Sequence, residues 1–252
     1  MTAAIIQART GSSRLPVKVL ADIVGKPLLV HLINRVKAAK LVEGIIIATT
    51  TNEADRVISK MAGENGVDYF TGSEEDVLDR YYQAATKFNT NPIVRITADC
   101  PLIDPYIIDV VVQRYLKGDC DYAANIIKRT YPDGLDVEVF GYKALKKAWK
   151  EARWASEREH VTAYIKNNAD KFRLANVENS ADLSHFRWTV DEEKDLKFVR
   201  EVYKRLYREG QIFYMEDIVK LLGRYPALEQ MNQGIHANEG YLKSIREDRI
   251  LE

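Results

Sequence analysis

The run Ala3-Ala4-Ile5-Ile6-Gln7-Ala8-Arg9-Thr10-Gly11-Ser12-Ser13-Arg14-Leu15-Pro16-Val17-Lys18-Val19-Leu20 decides how this chain is read. The apolar residues Ala3 to Ile6 form a short buried strand that delivers a small, polar, basic loop at its end. Gly11 admits backbone conformations, and close approaches to a ligand, that are closed to other residues. Ser12 and Ser13 bring hydroxyls and open backbone N–H groups, and Arg9, Arg14 and Lys18 bring three positive charges. Such a loop suits a polyphosphate. It is neither familiar phosphate fingerprint, because Gly-x-x-x-x-Gly-Lys-Ser/Thr and Gly-x-Gly-x-x-Gly are both absent. Residues 1–40 carry seven Lys and Arg against one acid, Asp22, whereas the whole chain carries 37 of each sign. A local excess on a neutral chain points to a local anion site rather than a nucleic-acid surface.

Outward from this loop, strand-like and helix-like patterns alternate. Residues 3–8, 44–49, 67–70 and 92–97 read as strands, and 26–40, 53–64, 74–88 and 104–116 as helices. Pro27 falls near the first turn of its helix, Ser73 is placed to cap the third and Asp104 to start the fourth. The run Gly44-Ile45-Ile46-Ile47-Ala48-Thr49 is apolar throughout, as in a strand covered on both faces. This order predicts an α/β domain with a mainly parallel central sheet and helices on both faces. Ligands of such sheets sit beyond the carboxyl ends of the strands, which brings the loops at 9–18, 49–53, 71–73 and 97–102 to one edge. In the second half, strands are expected at 122–125, 135–140, 171–177 and 186–190, as a β-rich excursion. Helices are expected at 141–153, 156–168, 192–209 and 214–223. The division expected is a domain over 1–225 and a C-terminal extension over 226–252.

With 46% hydrophobic and 29% charged residues, the chain can fill a core and remain an ordinary soluble protein. No apolar run approaches the ~20 residues of a membrane span. The early Arg9, with no long apolar stretch before it, argues against a secretory signal. Two cysteines, Cys100 and Cys120, imply no disulfide framework, so a cytoplasmic location is expected. His31, His160, His185 and His236 have no zinc-site spacing.

Five further stretches carry chemistry. In Val94-Arg95-Ile96-Thr97-Ala98-Asp99-Cys100-Pro101, Asp99 follows a buried strand and is placed to hold a magnesium ion bridging phosphate oxygens. In Trp188-Thr189-Val190-Asp191-Glu192-Glu193, Asp191 ends a strand and opens a helix, where an aspartate is a good N-cap. Thr71-Gly72-Ser73 precedes a helix, with Asp79-Arg80 inside it. Period-two alternation places Asp136 and Glu138 on one strand face, either as solvated residues or as partners of sugar hydroxyls, and Leu135, Val137 and Val139 on the other. In Glu157-Arg158-Glu159-His160, Arg158 is a candidate partner of a substrate carboxylate, and His160 is either a base or a packed residue.

The opening motif, Ile5-Ile6-Gln7-Ala8-Arg9-x-Gly11-Ser12-Ser13-Arg14-Leu15-Pro16-x-Lys18-x-Leu20, resembles the signature of the sugar-activating cytidylyltransferases. Members include the 3-deoxy-manno-octulosonate and acylneuraminate enzymes. Gln7 stands where those two carry Pro, and is similar instead to the spore-coat polysaccharide branch. Gly72 to Tyr81, Glu157 to Thr162 and Arg187 to Asp191 agree with that branch, so the resemblance spans about residues 3–222. It implies a Rossmann-like nucleotidyltransferase domain that couples CTP to an acidic sugar, giving a CMP-sugar and pyrophosphate. It further implies that Ala8, Arg9, Gly11, Ser12, Ser13, Arg14 and Lys18 hold the nucleotide, with Thr71, Gly72, Ser73 and Arg80 near its base and ribose. Arg14, Lys18, Asp99 and Asp191 would be catalytic, Asp99 and Asp191 holding Mg2+ or Mn2+. Asp136, Glu138 and Arg158 would face the sugar, and the chain would form a homodimer with no nucleic acid or membrane partner. A glycosyltransferase on a related nucleotide-sugar fold, or a non-catalytic nucleotide-binding regulator, are the other readings.

Overall fold

A computed structural model describes residues 1–12, 14–234 and 239–251. Seven strands form one sheet: β1 (Ala3–Gln7), β2 (Gly44–Thr50), β3 (Asp68–Gly72), β4 (Ile93–Thr97), β5 (Tyr122–Ala124), β6 (Glu138–Phe140) and β7 (Leu174–Asn176). Their spatial order is β3-β2-β1-β4-β6-β5-β7. The first four are parallel, β6 runs antiparallel to both β4 and β5, and β7 is parallel to β5. The β-rich second half therefore extends the parallel sheet instead of leaving it. Gln7 pairs with Ala48 on one side and Thr97 on the other, so the strand ends that carry the polar loops line up along one edge.

Both faces of the sheet are covered, which is why its central strands are mostly apolar, with Arg95 of β4 the charged exception. Ala4 and Ile6 pack into one buried cluster with residues of α1 (Leu28–Lys37), α4 (Pro105–Leu116) and α8 (Glu193–Leu206). Ala3 and Ile5 pack into a second with α3 (Val77–Lys87), α5 (Tyr142–Glu151) and α7 (Ala163–Asn167). The remaining helices are α2 (Arg56–Glu64), α6 (Ala155–Glu159), α9 (Met215–Arg224), α10 (Pro226–Glu229) and α11 (Glu239–Arg246).

Several boundaries differ from expectation, each for a local reason. Helix α1 starts at Leu28, because Lys26 and Pro27 pair back onto Asp22 and Ile23 across a turn with Gly25 at φ 81°. The cap of α3 is Asp76, whose Oδ1 accepts the Asp79 N–H at 2.8 Å, and Ser73 Oγ instead accepts the Asp76 N–H at 3.0 Å. The helix expected over 156–168 is two, broken where Val161 sits at φ 54°, a conformation costly for a β-branched residue. Residues 186–190 form no strand. Their partner segment turns at Gly134, leaving one parallel bridge between Asp133 and Arg187. A Cβ on Gly134 would lie 2.5 Å from the Thr189 backbone nitrogen, so only glycine lets these segments approach. Asp104 caps α4 as expected, accepting the Tyr106 N–H at 2.8 Å, and its other oxygen takes the Met215 N–H at 2.6 Å.

Candidate active site

The opening loop leaves β1 as an extension of the sheet, with buried Ala8 donating its N–H to Ala48 O at 3.1 Å. Buried Asp55 then anchors it. Its Oδ1 accepts the Thr10 N–H at 2.7 Å and the Thr10 hydroxyl at 2.6 Å, and its Oδ2 accepts the Thr50 hydroxyl. Val17 N–H closes the loop onto Thr10 O at 2.9 Å. Val17 itself sits at φ 60°, a strained left-handed conformation for a branched side chain. Such strain costs roughly 1–3 kcal/mol and gathers at functional sites. Arg9 pairs with Glu74 at 3.3 Å, and Asn52 donates to the same carboxylate at 2.5 Å. The Ser12 N–H, expected to face a ligand, donates inward to Thr10 O at 2.9 Å and leaves only the hydroxyl for an outside partner. Ser13 lies outside the described residues.

Immediately after this strained turn, Lys18 reaches across the strand ends. Its Nζ donates to Asp99 Oδ2 at 3.1 Å, Asp191 Oδ1 at 3.0 Å and Val190 O at 2.7 Å. Burial pulls the Lys18 ammonium down, but the charges of Asp99 and Asp191 outweigh that and leave it raised. Burial likewise pushes the Asp99 carboxyl up, but Lys18 and neighbouring donors bring it to about 2. Arg14 Nη2 lies 3.0 Å from the same Asp191 oxygen. Asp99 and Asp191 are held together by backbone as well, since Val190 N–H donates to Asp99 O at 2.8 Å.

The expected helix cap by Asp191 is not found. Helix α8 has Glu192 as its N-cap, in a capping box with Asp195 of the first turn, which accepts the N–H groups of Asp191 and Glu192 at 2.9 and 3.0 Å. The Asp191 side chain is thereby left to face Lys18, Arg14 and Arg187. Arg187 donates to Asp191 Oδ2 at 2.9 Å, Asp133 Oδ2 at 3.1 Å and Asp195 Oδ1 at 3.0 Å. Burial and the neighbouring Asp136 push the Asp133 carboxyl up to about 6, against the pull of Arg129 and Arg187.

The match that decides the family covers nearly the whole chain: the cytidylyltransferase profile spans residues 3–242. The chain belongs to the cytidylyltransferase family. It is a CTP-dependent nucleotidyltransferase. A solved cytidylyltransferase from Leptospira borgpetersenii superposes with a TM-score of 0.87 at 33% identity, covering 93% of this chain and 98% of that one. Among curated relatives, the uncharacterised protein MJ1063 of Methanocaldococcus jannaschii is 38% identical over 96% of this chain and 97% of its own. The spore coat polysaccharide biosynthesis protein SpsF of Bacillus subtilis is 31% identical over 88% of this chain and 94% of its own.

In this cytidylyltransferase the remaining candidates fall into two groups. Thr71, Gly72 and Ser73 do stand at the strand-end edge, where Thr51 N–H donates to Gly72 O at 3.1 Å. A Cβ on Gly72 would meet the Phe70 ring at 3.0 Å and Arg80 at 3.1 Å. Arg80 is turned inward, 2% exposed, and donates to Ser73 O, so it shapes this loop from beneath instead of presenting its charge. Arg158 is similarly engaged: it grips the Asp76 carboxylate and donates to Trp149 O at 2.6 Å. Asp136 is paired with Arg129 at 2.9 and 2.7 Å. Glu138 is not on a solvated face. It is 2% exposed and accepts from Arg95, Thr162 and Tyr122, the last at 2.5 Å, with Lys166 at 3.7 Å. Burial pushes its carboxyl up, but Lys166 and Arg95 hold it at about 2. His160 packs against Tyr241 at 4.9 Å, and burial lowers its ring to about 4.

Three structural residues escaped the sequence reading. Asp55 left no signal beyond a polar helix start. Arg187 lay inside a motif already singled out, and its spacing of four and eight residues from Asp191 and Asp195 was the available clue. Asn232 lies in the C-terminal extension, with no motif around it, and donates to Asp195 Oδ1 at 3.0 Å. Among the described residues, no three His, Cys, Asp or Glu side chains gather as a metal cage. Asp99 and Asp191 nevertheless aim one oxygen each at a single cation, the Lys18 ammonium. Two hard carboxylate oxygens fit magnesium, which takes few protein ligands and completes its shell with water and phosphate.

Proposed function

We propose that this cytidylyltransferase couples CTP to an acidic sugar of the ulosonic or nonulosonic type, giving a CMP-sugar and pyrophosphate for surface polysaccharide or glycan synthesis. The observation that carries this is the meeting of Arg14 and Lys18 with Asp99 and Asp191 at the carboxyl edge of the sheet. The kinship with a spore coat polysaccharide biosynthesis protein supports the polymer context. Nucleotidyl transfer needs positioning and charge neutralisation more than a covalent nucleophile. The sugar hydroxyl attacks the α-phosphorus, the bond to the β-phosphate breaks, and pyrophosphate leaves. Arg14 and Lys18 bind the triphosphate and offset the charge that gathers on the leaving group. Asp99 and Asp191 would hold Mg2+ or Mn2+, which when bound supplies Lewis-acid stabilisation of the α-phosphate and activates the hydroxyl. Thr71 to Ser73, shaped by Arg80, line the base side. Asp136 and its partner Arg129 stand on the sugar side, and Glu138 and Arg158 support that side from within. Cytoplasmic location and a homodimer complete this reading; among the described residues no helix is long and apolar enough to cross a membrane.

The test is a pyrophosphate-release screen of four nucleoside triphosphates against a panel of acidic sugars, neutral sugars and sugar phosphates. Release with CTP and an acidic sugar alone is the expected outcome. Release only with neutral sugars or sugar phosphates would overturn the acceptor assignment.

A further inference from the structure

We propose that Arg187 is the positioning residue of the active site, aiming Asp191, and that Asn232 from the C-terminal segment completes its setting. The inference rests on the metal-binding role proposed for Asp191. A carboxylate on a short side chain turns freely unless one oxygen is held. In Asp191, Oδ2 takes Arg187 Nη2 at 2.9 Å, and this leaves Oδ1 directed at Lys18 and Arg14, each at 3.0 Å. Arg187 in turn has little freedom. Its Nε and Nη2 grip the two oxygens of Asp195 at 3.0 and 3.1 Å, and its Nη1 reaches Asp133 Oδ2 at 3.1 Å. A planar guanidinium with its donors engaged in three directions is a fixed fork.

Asp195 ties the other end of the same residue. It is fully buried, and its Oδ2 accepts the Asp191 N–H at 2.9 Å. Backbone and side chain of Asp191 are therefore both fastened to the Arg187–Asp195 pair. Asn232, 4% exposed, donates through Nδ2 to Asp195 Oδ1 at 3.0 Å and to Arg187 O at 2.9 Å. A brace joining this loop to α8 would be complete with Asp133 and Asp195 alone. The third contact, to a carboxylate facing the opening, adds direction to that carboxylate.

The experiment titrates Mn2+ alone, without nucleotide, into the full chain and reads free Mn2+ by electron paramagnetic resonance. Asp191→Asn is the reference, and Arg187→Lys and Asn232→Ala are the tests, with thermal unfolding followed for each. Arg187→Lys keeps the charge but loses the fork. It is expected to weaken Mn2+ binding about tenfold or more, the usual effect of removing a residue that orients a metal ligand. Asn232→Ala should move affinity the same way by a smaller factor, and in turnover assays the half-saturating metal concentration should rise more than KM for CTP. Wild-type Mn2+ affinity in Arg187→Lys, with Asp191→Asn weakened, overturns the positioning role while leaving the metal site standing. Unchanged affinity in Asp191→Asn removes the metal assignment, and this inference with it. Should Arg187→Lys not fold, Asn232→Ala decides, since it alters no charge and wild-type affinity there overturns the proposal.

Discussion

At the scale of single residues, Lys18 is a cation held among anions by a strained turn. Its ammonium balances Asp99 and Asp191, two carboxylates that would otherwise repel across the strand ends. If Lys18 binds the triphosphate as proposed, replacing it by Ala removes a charge-assisted contact worth about 1.5–3 kcal/mol. That converts to a loss of roughly tenfold or more in rate. Lys18→Ala is therefore expected to lower pyrophosphate release at saturating substrate by at least tenfold while retaining a cooperative thermal transition. Near-wild-type turnover would take Lys18 out of the triphosphate site. The role of Asp191 changes at this scale too. Because Glu192 and Asp195 form the capping box of α8, replacing Asp191 leaves the helix start intact, and its effect falls on Lys18, Arg14 and Arg187.

At the scale of elements, the junction of β4, β5, β6 and α7 is held by charge as well as by apolar packing. Arg95 on β4 faces Glu138 on β6 in register, and Tyr122 on β5 and Lys166 on α7 close around the carboxylate. Removing one partner of a buried pair leaves the other uncompensated, at about 3–5 kcal/mol. Glu138→Gln is expected to lose stability of that order at neutral pH. The pH dependence follows from the depressed carboxyl: about 2 in the folded protein against an ordinary 4.5. Its contribution is present above 4.5 and is lost as pH falls from there toward 2. Denaturant titrations across this window should show a shallower acid slope in Glu138→Gln than in the wild type. A slope equal to wild type would mean that other carboxylates, such as Asp99, carry the acid response.

At the scale of the whole molecule, the chain returns repeatedly to one edge of the sheet. The segment 226–232 belongs to that return. Leu228 is buried in the main core cluster, and Asn232 reaches the Arg187 setting. Farther on, Asp248 accepts the N–H and hydroxyl of Ser156 at 2.9 and 2.6 Å, and Ile250 bridges Trp154. These two parts of the tail do different work, so truncations should separate them. Ending the chain after Gly234 keeps Asn232, and should preserve Mn2+ affinity while exposing the 153–156 segment to proteolysis. Ending it after Tyr225 also removes Leu228, at a cost on the order of 2–5 kcal/mol, and should weaken Mn2+ binding. Equal metal affinity in both truncations would confine the tail to stability.

The amino-acid sequence by itself determined what depends on neighbours along the chain. Continuous apolar runs identified β1 and β2, and Asp104 followed by Pro105 identified the start of α4. Parallel alternation alone placed the loops of Lys18 and Asp99 at one edge. What only the tertiary structure decided is which charge meets which. Lys18 finds Asp191 across 173 residues, Arg95 finds Glu138 across 43, and Arg158 finds Asp76 across 82. No periodicity encodes such pairings, because a long charged side chain is satisfied by whatever segment folding brings within hydrogen-bond reach. The same reason explains Glu138, whose alternation with Val137 and Val139 correctly separated two faces but could not reveal that the polar face is covered. It explains Arg158 as well, a charge read locally as the partner of a substrate carboxylate that instead grips Asp76, and Arg80, set near the base and ribose by the family resemblance, whose guanidinium donates to Ser73 O.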